Sequence, residues 1–386
     1  MSLLLTQDDI RPLIEDDDLF EGAFKAIEQS VLDQQRGEAG RAAFVRMQLG
    51  NPKVVTGVYA TASEHGASVR VWPDVSGAKG ADESLFLLLD HNTGHVLAIM
   101  ASDDLNPLRT AIPAAVGGRH LAPAGARTLC VLGTGQQGRA HARTFTHAIP
   151  SIERVVVWSP TKEHRDAFAR EVAAMIKRPV EAVESDQAAV EQADVITATG
   201  LTGFGQKAMQ AEWVRPGALV VTMTGSAPPE LPGRKYVASN TRPELLAAPF
   251  FRGGPPGRAG GPPPGAGLGG PPGAGGPPGA GGPPGAGGPP GAGGAPGAGG
   301  PPGAGGPPGA GGPPGMGGPP GPELGDVISG KTPARERPEE TLTFNIAAPY
   351  AWDAPIMNWV YTWAKQRGVG HDFRFTSQRP GYFPGW

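Results

Sequence analysis

Residues 126–145, ARTLCVLGTGQQGRAHARTF, decide the fold. An apolar run from Thr128 to Leu132 leads into Gly133-Thr134-Gly135-Gln136-Gln137-Gly138, and a helix-forming stretch, Arg139 to Phe145, follows. Strand, turn and helix with glycines spaced G-x-G-x-x-G have a physical logic. Gly133 permits the tight turn, and Gly135 lets backbone approach a pyrophosphate. Gly138 lets the helix pack close to the strand, and the helix's first amides face the phosphates. The motif alone is weak evidence in a chain with 61 glycines among 386 residues. The flanking strand and helix, and a second strand at Arg154 to Trp158, favour a dinucleotide site over a plain glycine turn.

The end of that second strand bears on which dinucleotide. A carboxylate usually stands there to hold a ribose 2′-hydroxyl, but this chain has Ser159. Hydroxyls at Ser159 and Thr161, with Lys162 and Arg165 nearby, suit a 2′-phosphate, so NADP(H) is favoured and NAD(H) stays possible; a capped loop opening a helix at 163–176 is the alternative. Asp194 to Gly200 reads as a later parallel strand, and its end, Thr199-Gly200, should border the cofactor. Leu219 to Met223, followed by Thr224-Gly225-Ser226, is the next strand, and Tyr236 to Ser239 one more. Strands alternating with helices predict an α/β fold with a doubly wound parallel sheet.

Upstream, Leu3 to Leu5 reads as a strand, and Thr6 or Asp8 can cap a helix starting near Asp9. Phe20, Ala23, Phe24, Ile27 and Val31 recur at spacings of three and four, so a second helix buries one face. Asp16 to Asp18 favour the N-terminal end of that helix, or form a solvated turn. Strands follow at 44–47, 54–55, 68–72, 85–89 and 95–100, with a hairpin turn at 90–94. They precede the dinucleotide unit and so predict a second, α+β domain. Arg46 and Arg70 lie within these strands. On a wet face they are ordinary; facing a cleft, their paired donors would clamp a carboxylate. A small, apolar helix spans 103–120. Arg109 in its first turn either pairs with Asp103 or Asp104 on the surface, which contributes little, or faces the same cleft.

The chain's net charge of −3 implies no broad basic surface, so nucleic acid is not an expected partner. The single cysteine, Cys130, sits in the strand before the glycine turn and reads as a small buried apolar residue. The opening residues lack the pattern of a signal peptide, and no stretch approaches a membrane span. A cytoplasmic protein without a membrane partner is expected. Most of the 44 prolines fall in residues 251–322, where glycine recurs at every third position from Gly270 and GPP alternates with GAG. Formally this is collagen-like. Its place inside a globular chain and the glycine at every second Y position predict instead a disordered or loose polyproline-II insertion.

Three segments carry a resemblance: DHNTGHVLAIMASDDLNPLRTA (90–111), TLCVLGTGQQGRAHARTF (128–145) and ELGDVISGKTPARERPEETLTF (323–344). They resemble the ornithine cyclodeaminase/mu-crystallin family, and the opening LLLTQDDIRPLIEDDDLFEGAFKAI is similar to that family's first strand and helix. The resemblance implies a substrate and dimerisation domain from residues 1–120, completed by 323–386. Residues 121–250 would form a Rossmann domain, followed by the Gly/Pro-rich insertion at 251–322. It implies a homodimer, a nicotinamide cofactor, and hydride transfer at the α-carbon of a small carboxylate-bearing imino or amino acid. Arg46 and Arg109 match the family's substrate-carboxylate arginines. Arg70 falls where the family has its catalytic lysine, and arginine is a poor proton carrier; Lys79 is the possible substitute. Ala227 stands where cyclodeaminases place an aspartate, which speaks against ornithine cyclisation. Asp353 matches an aspartate after the family's C-terminal strand, with a structural role at the domain junction. An imine or ketimine reductase or amino-acid dehydrogenase is the expectation; an ornithine cyclodeaminase and a non-catalytic dinucleotide binder are the alternatives.

Overall fold

The computed structural model describes residues 1–16, 20–41, 45–48, 54–63, 66–75, 84–199, 209–223, 230–237, 322–346 and 352–374. The first half of the chain forms β1 (Ser2–Leu5), α1 (Gln7–Glu15), α2 (Phe20–Arg36), β2 (Gly40–Arg41), β3 (Val45–Gln48), β4 (Val54–Ser63), β5 (Gly66–Val75), β6 (Leu85–Leu89), β7 (Val96–Ala101) and α3 (Leu105–Leu121). Then come β8 (Thr128–Leu132), α4 (Gln136–Ala148), β9 (Arg154–Trp158), α5 (Lys162–Ile176), β10 (Val180–Ala182), α6 (Asp186–Val190), β11 (Val195–Ala198), β12 (Leu219–Thr222) and β13 (Lys235–Val237). The last elements are α7 (Leu324–Ile328), β14 (Leu342–Asn345), α8 (Asp353–Arg367) and β15 (His371–Phe373).

The strands make two sheets. The first runs β15-β1-β7-β6-β5-β4-β2, with β3 also paired to β4; β1 and β7 are parallel and the other pairs antiparallel. The second runs β10-β9-β8-β11-β12-β14-β13, and every neighbouring pair in it is parallel. The strand order reverses at β8 and β11, where an open α/β sheet has its crevice. The expected α/β class with a second α+β sheet is what the chain adopts.

Alternation along the parallel strands explains why both faces of this sheet need covers. Leu129 and Val131 of β8 join one apolar cluster, which also holds Val155 and Val157 of β9 and Leu219 and Val221 of β12. Cys130, Leu132, Val156, Ile196 and Val220 join a second cluster on the opposite face. Side chains buried on both faces give the near-continuous apolar runs that mark parallel strands. Cys130 is fully buried, and burial pushes its thiol up, which leaves it an inert core residue.

The first cluster is continuous with the core under the first sheet. Phe20, Phe24, Ile27 and Val31 of α2 belong to it, as the three-and-four spacing predicts. Thr6 starts α1 with a capping box: its hydroxyl accepts from the Asp9 N–H at 3.3 Å, and the Asp9 carboxylate accepts from the Thr6 N–H at 2.9 Å. Helix α8 packs on α2 and on β4, β5 and β6.

Helix α3 is buried on nearly all sides, because it lies between α2, α4 and the parallel strands. Gly117 and Gly118 make this possible. A Cβ at Gly117 would lie 2.2 Å from the Phe344 ring of β14, and one at Gly118 would lie 2.8 Å from the Phe145 ring of α4. Arg335 ties the same region together: its Nη1 donates to the carbonyls of Gly217 (2.6 Å) and Glu340 (2.7 Å), and its Nη2 to that of Leu121 at the end of α3 (2.6 Å). Nearby, hydrogen bonds from Arg234 hold the Glu340 carboxyl down to about 2.

Two expectations are corrected. Helix α4 begins at Gln136, not Arg139, because Gly135 is already its N-cap. Residues 323–386 do not all return to the first sheet: α8 and β15 do, but β14 inserts between β12 and β13 of the parallel sheet. Phe344, on the face turned to α3, gives that strand its place in the core. The tract at 251–322 lies outside the described residues except for Pro322. Its flanks meet at one point: Val237 pairs with Glu323, and the Val237 N–H donates to the Pro322 carbonyl at 3.2 Å. Among the described residues, no helix is long and apolar enough to cross a membrane.

His141 of α4 is fully buried, stacked on Phe145, with Nδ1 at 2.7 Å from the Thr197 hydroxyl of β11. Burial holds its pKa down to about 3 from an ordinary 6.5. The folded state therefore keeps a neutral imidazole where the unfolded chain binds a proton, and stability falls as pH drops from 6.5 towards 3. Chemical denaturation between pH 7 and 5 should show this loss, with a slope approaching about 1.4 kcal/mol per pH unit. A His141→Gln variant should show a flatter profile over the same range. Gly117→Ala should lower stability by about 1–3 kcal/mol, the cost of overpacking against a fixed ring, read as a shifted urea midpoint with an unchanged m-value.

Candidate active site

The glycine turn is built as its spacing requires. Gly133 has φ +119°, a value that L side chains rarely adopt, and its N–H donates to the Trp158 carbonyl at 2.9 Å. That bond fixes the exit of β8 against the end of β9. A Cβ at Gly138 would lie 2.2 Å from the Gly133 carbonyl oxygen, so only glycine lets α4 start this close to β8. Gly135 caps α4 without any side-chain hydrogen bond, and no acidic residue occupies its first turn. The first amides of the helix thus have neither an intrahelical partner nor a carboxylate from the helix's own first turn, the condition that favours a phosphate there. These donors fit the diphosphate of a dinucleotide. Gly135 and Gln136 are exposed beside them, and the buried Gln137 Oε1 has no hydrogen-bond partner among the described residues.

The neighbouring loops close around the turn. Thr134 Oγ1 donates to Ser159 Oγ at 3.1 Å, which couples the glycine turn to the end of β9. Thr199, at the end of β11, donates from both its N–H (3.0 Å) and its hydroxyl (3.1 Å) to the Leu132 carbonyl. After β9, Thr161 is exposed as the N-cap of α5, and Lys162 pairs with Asp166 at 2.7 Å. That bond raises the lysine's pKa and lowers the aspartate's. Gly200, Thr224, Gly225 and Ala227 lie outside the described residues.

The arginines arrive from the other sheet and from α3. Arg109 is not on the surface beside Asp103 or Asp104. It is 6% exposed, with Nε and Nη2 donating to Asn106 Oδ1 at 3.0 and 2.8 Å and Nη1 to Asp353 Oδ1 at 3.4 Å. Asp353, the first residue of α8, is fully buried. Pro113 has no N–H to give the Arg109 carbonyl, so that carbonyl lacks its intrahelical partner while the helix runs on to Leu121. The Ala111 carbonyl accepts from Thr144 Oγ1 at 3.4 Å, while Gly118 lies against Phe145 and Ile149. Helices α3 and α4 therefore run in the same sense, which carries the Arg109 end of α3 towards the start of α4 and the glycine turn.

Arg70 is 7% exposed in β5, with its guanidinium 5.3 Å from the centre of the Phe86 ring. It lies on a strand against which α8 packs, and α8 supplies the carboxylate that holds Arg109. Arg46 in β3 is opposite Gly57, which is opposite Trp72, two positions from Arg70. The register therefore places positions 46 and 70 on one face of the sheet. Lys79 lies outside the described residues. Sequence reading did not single out Asn106 or Arg109's contact with Asp353. The i, i+3 spacing of Asn106 and Arg109 was a usable signal for the former; no local pattern joins residues 109 and 353.

Residues 76–237 match the family model described as the ornithine cyclodeaminase/mu-crystallin family. The ketimine reductase mu-crystallin of Rattus norvegicus is 34% identical over 153 residues, 40% of this chain and 47% of that protein. The iminosuccinate reductase of Paracoccus denitrificans is 33% identical over 185 residues, 46% and 56% of the two chains. A Δ1-pyrroline-2-carboxylate reductase of Bacillus cereus is 32% identical over 115 residues, 30% and 35%. The chain thus aligns with about half or less of these relatives' lengths. Over nearly the whole chain the fold is similar to two solved structures. One is the Thermococcus litoralis Δ1-pyrroline-2-carboxylate reductase in complex with NADH and L-proline (TM-score 0.66, 16% identity, 96% of this chain and 100% of that one). The other is the Paracoccus denitrificans iminosuccinate reductase in complex with NAD+ (TM-score 0.66, 20% identity, 96% and 98%). The match to the ornithine cyclodeaminase/mu-crystallin family thus covers residues 76–237, the segment that holds Arg109 and the glycine turn, and the likeness to the two solved structures extends the shared fold over the rest of the chain.

Proposed function

We propose that the protein is an NAD(P)H-dependent reductase of a small 2-imino acid, linear or cyclic. The observation that carries this reading is the uncapped start of α4 at a glycine turn, with the guanidinium of Arg109 held in place at the near end of α3. The three relatives aligned above are reductases of ketimines, pyrroline-2-carboxylate and iminosuccinate, which supports a substrate with a C=N bond beside a carboxylate.

In this reading Gly133, Thr134, Gly135, Gln136, Gln137 and Gly138 hold the diphosphate. Thr199, Gly200, Thr224 and Gly225 border the nicotinamide side, and Ser159, Thr161 and Lys162 face the adenosine ribose, with NADP(H) favoured. A bound nicotinamide supplies the hydride equivalent that the imine carbon accepts. Arg109 and Arg46 hold the substrate carboxylate, because a guanidinium offers two parallel donors to two oxygens. Asn106 and Asp353 fix the Arg109 fork before substrate arrives, so less ordering is needed at binding. Arg70 orients or polarises the imine, and Lys79 or water supplies the proton, since a guanidinium stays protonated at working pH. We take residues 1–120 with 323–386, less β14, as the substrate and dimerisation part of a cytoplasmic homodimer. Residues 121–250 with β14 form the dinucleotide part, and the tract is an insertion between β13 and α7. Arginine in place of the family's lysine also supports a second reading, a dinucleotide binder without turnover.

Two measurements decide between them. Consumption of NADPH or NADH should follow addition of Δ1-pyrroline-2-carboxylate; dinucleotide binding with no turnover of any imino acid would leave only the non-catalytic reading. In the Arg109→Lys variant, KM for the imino acid should rise about tenfold or more, the value of a charged hydrogen bond, while dinucleotide affinity stays unchanged. Gly138→Ala should do the opposite and abolish dinucleotide binding, at a stability cost of about 2 kcal/mol.

A further inference from the structure

The corner after β9 holds a pair whose chemistry the glycine turn does not explain. Arg165 is in the first turns of α5, and helical side chains lean back towards the N-terminus. Its guanidinium accordingly lies beneath the end of β9, where Nη1 donates to the Ser159 carbonyl at 2.7 Å and, at 3.4 Å, to that of Pro160. The side chain is 6% exposed, and its Nε is buried without a hydrogen-bond partner among the described residues. Nη2 donates at 2.9 Å to Glu184, which follows β10 and whose side chain is 79% exposed. A buried cation fixed to the backbone thus meets a carboxylate that reaches in from solvent.

We infer that Glu184 is a specificity-determining residue: its carboxylate occupies the Arg165 Nη2 donor that a 2′-phosphate of NADP(H) would otherwise use. The inference rests on the dinucleotide reading of the glycine turn. In that reading the ribose sits at the end of β9, where a carboxylate accepts from the 2′-hydroxyl of NAD(H) and an arginine receives the 2′-phosphate of NADP(H). Ser159 supplies no carboxylate at that position, and Glu184 brings one to the same guanidinium from the next strand. The two ligands then make opposite demands on it. A free 2′-hydroxyl needs an acceptor and is served by Glu184 in place. A phosphate repels the carboxylate and must displace it from Nη2 to form the stronger charge-assisted bond. Displacement is cheap, since a carboxylate this exposed is well solvated when it swings out. The second cation nearby behaves alike: Lys162 is bound to Asp166 and must also be released. The corner therefore admits both dinucleotides, with Glu184 weighting the balance towards NAD(H).

The test is a titration of the full chain with NADH and NADPH, followed by nucleotide fluorescence, for the unaltered protein and Glu184→Gln. Parallel titrations with 5′-AMP and 2′,5′-ADP isolate the ribose corner from the nicotinamide. Glu184 is a surface side chain, so the variant should keep its unfolding midpoint. The ratio of NADPH to NADH affinity should rise roughly fivefold in Glu184→Gln, about the factor a surface ion pair is worth. The ratio for 2′,5′-ADP over 5′-AMP should rise with it. Arg165→Gln should move both ratios the other way, by tenfold or more. Unchanged ratios in Glu184→Gln, with both dinucleotides still bound, would overturn the role of Glu184 and leave the dinucleotide site standing. Failure of the unaltered chain to bind either dinucleotide would overturn that underlying reading, and this one with it.

Discussion

The approach of Gly138 to the Gly133 carbonyl is the contact on which the functional geometry depends. A methyl group at 138 would sit 2.2 Å from that oxygen. With hydrogen alone there, α4 starts directly against the end of β8, and its free amides open at the reversal point of the sheet. Thr134 and Ser159 then bond across the turn, and the Gly133 N–H reaches the Trp158 carbonyl. The glycine residues are therefore a steric condition for three bonded elements meeting at one point. Charge follows from the same geometry, because a helix start with no side-chain cap and no acidic residue in its first turn is a standing partial positive charge.

Helix α3 converts that local arrangement into a site. Small residues at 117 and 118 admit the rings of Phe344 and Phe145, and this seats α3 against the parallel sheet and α4. Its first turns carry Arg109, and its last carbonyl is held by Arg335. The guanidinium at one end is buried, paired and aligned before any ligand enters. Burying an ion pair is costly unless its remaining donors are also bonded, and Asn106 meets that condition by taking Nε and Nη2. The arrangement leaves the guanidinium bonded on all three nitrogens within the fold.

Much of this was legible in the chain itself. The G-x-G-x-x-G turn, the alternation of strands and helices, the buried face of α2 and the capping box at Thr6 are all set by residues within a few positions of one another. Their signals are periodicity, backbone conformation and capping, which act locally. Arg109 was recognisable as a candidate, yet its surroundings were not: Asp103 and Asp104 were near in sequence, while the bonding partner Asp353 lies 244 residues away. The same limit applied to Arg165 of α5 and Glu184 beyond β10, which meet only because β10 pairs with β9.

Sequence alone determined that a strand, a G-x-G-x-x-G turn and a helix follow a run of strands, and that Arg46, Arg70 and Arg109 lie in the segment before that turn. It did so because a phosphate-binding turn, a strand and an amphipathic helix each need particular residue types at fixed short spacings. Only the tertiary structure decided that β14 completes the parallel sheet, that α3 runs in step with α4, and which carboxylate each buried arginine meets. Those outcomes depend on shape matching between surfaces far apart in the chain, where a ring fits over a glycine and a buried charge must find its counter-ion, and no short spacing encodes them.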